Sequence, residues 1–156
     1  MNTIDRLKKN LKASIEAKQQ LMTDEVCLAE YLKAVEIVIE RYKLGGRLYI
    51  AGNGGSAADA QHLAAEFVSK LAKDRKPVPA EALTVDSSII TAIGNDYGFD
   101  QIFSRQLVGK ATAKDIFLGI TTSGQSINIL KALEQCKKME IPSIVFCARD
   151  GGSAKA

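Results

Sequence analysis

The sequence predicts an α/β fold: a parallel sheet flanked by helices, preceded by N-terminal helices. Three observations carry this. Four short apolar runs have the length and near-continuous hydrophobicity of buried parallel strands: "RLYIA" at 47–51, "AEALTV" at 80–85, "DIFLGI" at 115–120 and "SIVFCA" at 143–148. Helical stretches separate and follow them, at about 56–72, 87–93, 99–110 and 126–139, and such alternation is the grammar of a sheet covered on both faces. Before Arg47 the apolar residues recur at helical rather than strand spacing. We expect a helical segment over 1–36 and an α/β domain over 37–156.

In chain order, Ile4, Leu7, Leu11 and Ile15 fall on one face of a first helix. Thr23, followed by Asp24 and Glu25, marks the start of a second, with acidic residues where the helix dipole favours them. Leu28, Leu32, Val35, Ile39 and Tyr42 form its stripe, which Gly45 and Gly46 end. Tyr31, Ile37 and Val38 lie off that stripe, so the helix is apolar over more than one face and is expected to be covered on both sides, the second cover being another subunit.

Composition narrows the classes. A chain of 156 residues is one ordinary domain, and 46% hydrophobic with 25% charged residues is a globular balance. A net charge of +3 is too small to argue for nucleic acid; the basic clusters "RLKKNLK" and "KDRKP" are read as solvated surface. Cys27, Cys136 and Cys147 are odd in number and show no CxxC spacing, so buried reduced thiols are expected. The N-terminus lacks the apolar core of a secretory signal, and no apolar run approaches the ~18 residues of a membrane span. The expected location is the cytoplasm.

Ligands of parallel α/β sheets bind at the carboxyl ends of the strands. The first strand ends in Gly52-Asn53-Gly54-Gly55-Ser56, with glycines that admit close backbone approach. Ser56 is expected to cap the next helix, with Asp59 completing a capping box, and that helix start suits an anion. Gly52, Gly54 and Ala57 also satisfy G-x-G-x-x-A, but the acidic partner of a dinucleotide fold is misplaced: Asp86 lies 34 residues on instead of ~20. The third strand ends in "TTSGQS", Thr121 to Ser126, a hydroxyl-rich turn able to solvate a phosphate without lysine. It contains no G-K-[ST]. His62 and Glu66, at i and i+4, share a helix face that Lys70 would extend. They form either a surface ladder, a metal-ligand pair, or, through the glutamate, a proton carrier beside a sugar carbonyl.

Taken together, the "GNGGS" loop, the helix with its His and Glu, "GNDYGFDQIFSRQL" and "LGITTSGQSINILKAL" resemble the sugar-isomerase (SIS) domain, a flavodoxin- or Rossmann-like fold, and within it the bacterial phosphoheptose isomerases. The resemblance runs from about Ile37 to Gly152. It implies conversion of sedoheptulose 7-phosphate to D-glycero-D-manno-heptose 7-phosphate, a step toward the heptose of lipopolysaccharide. It implies substrate contacts from Asn53, Gly54, Gly55, Ser56, Glu66, Asn95 and Asp96, and phosphate contacts from Thr121, Thr122, Ser123 and Ser126. Glu66 would be the acid/base, and His62 with Glu66 would be zinc ligands in members that carry the metal. A homotetramer is implied too.

The resemblance also implies a further strand and a long helix after "DGGSAKA", supplying a second histidine and a glutamine. The sequence as it stands has one histidine and is read as a fragment. A non-catalytic SIS domain, serving as a sugar-phosphate sensor or a partner-binding scaffold, is the alternative; Glu66 argues against it, because such relatives lack the carboxylate.

Overall fold

The computed structural model describes residues 2–148 and 151–155. The chain divides into two compact units, one ending at Ile37 and one beginning at Val38. The first holds helix α1 (Thr3–Thr23) and most of α2 (Glu25–Lys43). Asn2 caps α1, its side-chain oxygen accepting from the Asp5 N–H at 2.9 Å. The second helix is capped by Asp24 rather than Thr23: Asp24 Oδ1 accepts from Cys27 N, while the Thr23 hydroxyl donates back to the Gln20 carbonyl within α1. No residue of α1 or α2 is fully buried, and on α2 Val35, Ile37, Val38 and Tyr42 are half-buried.

The second unit begins with the end of α2. There Gly45 N–H bonds the Tyr42 carbonyl and Gly46 N–H the Arg41 carbonyl, with Gly45 at a φ of 80°, the glycine stop expected of this sequence. The sheet has four parallel strands, β1 (Leu48–Gly52), β2 (Ala80–Ala82), β3 (Ile116–Thr121) and β4 (Ser143–Cys147), in the order β2-β1-β3-β4. The two central strands are buried almost throughout and form the core with Leu83, Phe103, Leu107, Ile129 and Cys136.

Between the strands lie α3 (Gly55–Val68), α4 (Ser87–Tyr97), a 3-10 turn (Phe99–Gln101), α5 (Ser104–Lys110) and α6 (Ile127–Lys138). The crossover through α3 leads from β1 outward to β2, and that through α6 leads from β3 outward to β4. Right-handed connections running in opposite directions put α3 and α6 on opposite faces. The chain thus reverses direction between β1 and β3, and the crevice at such a reversal is where these sheets bind ligands.

Several boundaries differ from expectation for local reasons. β2 stops at Ala82, because the chain must turn by Asp86, whose carboxylate caps α4 through Ile89 N at 2.9 Å. The stretch 99–110 is not one helix: Gly98, at a φ of 100°, ends α4, and a tight turn precedes α5. α3 ends at Val68, short of Lys70. Its last carbonyls are taken by Arg75, which donates to Glu66 O at 2.7 Å and Phe67 O at 2.9 Å, so this residue of the "KDRKP" cluster is a helix cap. Of the cysteines only Cys136 is buried; Cys27 and Cys147 are exposed, against the expectation of three buried thiols.

Candidate active site at the β1–β3 crevice

The helix after β1 is capped two residues earlier than the expected Ser56. Gly54 occupies the cap position at a φ of 57°, with no side chain bonded to the helix end, so the predicted capping box does not form. Ser56 N and Ala57 N instead bond the Asn53 and Gly54 carbonyls, both at 3.1 Å. Gly52 is required by packing: a Cβ there would run into the Ser56 backbone and side chain. The result is a helix N-terminus that no side chain caps, an arrangement open to an external anion.

Across the crevice, the turn after β3 is tied internally. Thr121 Oγ1 and Ser126 Oγ lie 3.0 Å apart, and Ser123 Oγ accepts from Gln125 N at 3.2 Å. Thr121 is buried, Ser126 half-buried, and Thr122 and Ser123 are exposed. Gly124, at a φ of 67°, packs against the Gly151 carbonyl, and its own carbonyl accepts from Ala154 N at 3.1 Å. Gln125 accepts from the Ser153 hydroxyl at 2.8 Å. The hydroxyl loop is therefore braced from behind by the segment after β4.

The two turns are joined by a pair the sequence reading missed. Asn53 Nδ2 donates to Asn128 Oδ1 and Asn128 Nδ2 donates to Asn53 Oδ1, both at 2.9 Å. Asn128 is 3% exposed. A signal for it was present: Asn128, Ala132 and Cys136 form the buried stripe of α6 at four-residue spacing, and a polar residue on such a stripe needs a partner.

His62 Nε2 stands 3.7 Å from Glu66 Oε1, with Glu66 the more shielded side chain. Lys70, beyond the helix end, does not extend the row. No group of three or more His, Cys, Asp and Glu side chains able to hold a metal occurs among the described residues. Zinc takes three or four protein ligands, so this pair alone does not make its site. Asn95 and Asp96 lie exposed near the end of α4, where Asn95 Nδ2 donates to Asp96 Oδ1 at 2.8 Å. Asp96 lines a separate cavity of about 390 Å³ between α4 and α5, with Arg105 stacked 3.5 Å over the Tyr97 ring. Neither crevice turn lines that cavity.

The chain matches the SIS domain model over residues 2–147. It is 49% identical over 145 residues to the phosphoheptose isomerase of Clostridium acetobutylicum, covering 93% of this chain and 74% of that protein. It is also 49% identical over 147 residues to phosphoheptose isomerase 2 of Campylobacter jejuni, covering 94% and 73%. Among solved structures it resembles the phosphoheptose isomerase GmhA of Neisseria gonorrhoeae, with a TM-score of 0.91 and 37% identity over 99% of this chain and 79% of that one. The phosphoheptose isomerase of Francisella tularensis gives 0.92 and 35%, over 99% and 80%. With its parallel sheet, its reversal between β1 and β3 and this degree of identity, the chain belongs to the SIS-domain family, among the phosphoheptose isomerases.

Proposed function

We propose that this chain is an aldose–ketose isomerase converting sedoheptulose 7-phosphate to D-glycero-D-manno-heptose 7-phosphate. One observation carries the mechanism: Glu66 is a partly shielded carboxylate on α3, the helix that starts at the β1 turn, and that turn is tied through Asn53 and Asn128 to the start of α6 after a second turn rich in hydroxyls. The substrate has its phosphate on C7 and its reacting carbons at C1 and C2. A site for it must therefore be two-ended, and the crevice offers two ends of different chemistry.

At one end, Thr121, Thr122, Ser123 and Ser126 would hold the phosphate with hydroxyls and the first amides of α6. At the other, Asn53, Gly54, Gly55 and Ser56 would hold the sugar; the reading adds Asn95 and Asp96 as sugar contacts, although within this chain Asp96 lines the separate α4–α5 cavity. Glu66 would take a proton from C1 of the ketose as the C2 carbonyl becomes an enediolate. The same carboxyl would return the proton to C2 while the O1 proton passes to the O2 oxyanion, making C1 the new carbonyl and O2 a hydroxyl. No oxidant or reductant is consumed, because hydrogen only moves between neighbouring carbons and oxygens. His62, within reach of Glu66, would orient the carboxylate.

His62 and Glu66 would supply two zinc ligands, the others coming from outside this pair, and no step above depends on the ion. The reading extends to a homotetramer, supported by the apolar stripe of Ile4, Leu7, Leu11 and Ile15 left exposed on α1. It extends also to a cytoplasmic role in supplying heptose for lipopolysaccharide. The deciding experiment is incubation of the full-length protein with sedoheptulose 7-phosphate and detection of the aldose product. Loss of the ketose without an aldose, or no loss at all, refutes the proposal. A light-scattering mass of one chain would refute the tetramer separately.

A further inference from the structure

We infer that Asn128 is a positioning residue: its paired amide bonds to Asn53 set the distance between the phosphate-holding turn and the helix that carries Glu66. The inference rests on the isomerase reading. Asn53 belongs to the turn that launches α3, and Asn128 to the first turn of α6. The helices lie on opposite faces of the sheet, so contact between their starts must be made over the strand ends. The two 2.9 Å bonds make it there. Each amide both donates to and accepts from the other, a geometry that resists shear as well as separation.

The consequence follows from the length of the substrate. Phosphate and reacting carbons occupy opposite ends of a seven-carbon molecule, held by different turns. Opening the clasp leaves each half-site with its own groups but lets the halves drift, and misplacement by about an ångström costs on the order of 10²-fold in rate. The side chain of Asn128, buried behind the turns, acts on the reaction through its pair with Asn53.

The test is a double-mutant cycle in the full-length protein, with Asn53→Ala, Asn128→Ala and the pair. Steady-state kinetics use sedoheptulose 7-phosphate, with inorganic phosphate as the competing ligand. Each single variant should lower kcat at least ~10-fold, and the double variant should be within ~3-fold of the worse single one, because both changes open one clasp. The inhibition constant of inorganic phosphate, which needs only one half-site, should stay within ~3-fold of the parent. If Asn128→Ala does not fold, Asn128→Ser, small and tolerated at a helix start, takes its place.

Additive losses, or kcat within ~3-fold of the parent, overturn the inference. Phosphate affinity falling in step with kcat also overturns it, since the turn itself would then have collapsed. A parent protein that binds phosphate but does not turn over the ketose overturns the isomerase reading, and the inference with it.

Discussion

His62 Nε2 lies 3.7 Å from Glu66 Oε1, one turn apart on α3, yet the two side chains live in different surroundings: His62 is 74% exposed and Glu66 27%. A solvated ladder would expose both ends alike and continue down the helix. This row does neither, because α3 stops at Val68 and Arg75 seals its end through the Glu66 and Phe67 carbonyls. The shielded member is the carboxylate, the group that proton transfer at carbon requires.

Replacement of Glu66 by Gln should separate chemistry from binding. The amide keeps size and reach but cannot accept a proton from carbon, so kcat should fall at least ~10²-fold while sedoheptulose 7-phosphate still binds. On the proposed reading, in which His62 would be a zinc ligand, His62→Gln should lower metal content more than it lowers the rate. Turnover, substrate titration and metal content of the two purified variants check this. A near-parental rate for Glu66→Gln would remove Glu66 from the mechanism.

The thiols should divide by burial. Burial pushes the Cys136 thiol up to about 12, which suppresses its reactive thiolate at neutral pH. Cys27 and Cys147 are exposed. A chromogenic disulfide reagent should therefore titrate two thiols in the native protein, and the third only after denaturant is added. Rapid reaction of all three in native buffer would contradict the packing of α6 on the sheet.

The strands were legible because a central parallel strand has no polar face to hide, and their four apolar runs stand out between helical stretches. The end of β2 was not: Leu83, Thr84 and Val85 have strand propensity, but the need to seat Asp86 at the start of α4 bends the chain first. The β1 turn was read as a ligand loop for its glycines, yet its cap was misassigned to Ser56. Positive φ at Gly54 begins the helix earlier, and which of the three glycines in this turn takes that conformation is not written in residue type. Asn128 and Arg75 were missed for another reason. Their partners lie 75 residues away and 8 to 9 residues away, and pairing of this sort depends on how elements come to rest against each other.

Tyr42 should make the α/β unit alkali-sensitive. Its hydroxyl donates to the Pro79 carbonyl at 3.1 Å, and burial, opposed by a smaller pull from Arg75, raises its pKa from 10.0 to about 12. A raised folded-state value means that the folded protein holds this proton more tightly than the unfolded one. The contribution is therefore complete below pH 10 and is lost as pH climbs toward about 12. Burial raises Tyr49 too, in the same sense. Tyr42→Phe should flatten, without abolishing, the fall in urea midpoint between neutral and strongly alkaline pH. An unchanged alkaline slope would mean that Tyr42 is not held as described.

Glycine at 124 should be indispensable where glycine at 109 is not. Gly124 has a φ of 67°, and a Cβ there would drive into the Gly151 carbonyl, a backbone group that cannot swing aside. Gly109 sits inside α5 with a Cβ position that meets nothing within 4 Å. Gly124→Ala adds a left-handed strain of ~1–2 kcal/mol to the collision, so the total loss should be at least ~2 kcal/mol. In a protein of this size that lowers Tm by about 4–8 °C. Gly109→Ala has no such conflict and removes unfolded-state entropy, so it should raise stability by ~0.5–1 kcal/mol. The pair gives opposite signs from the same chemical change. Because Gly124 lies within the hydroxyl turn, its alanine variant should also raise KM for the sugar phosphate, whereas the Gly109 variant should not. Equal Tm shifts, or a Gly124 variant with parental KM, would mean that the segment after β4 does not brace the turn.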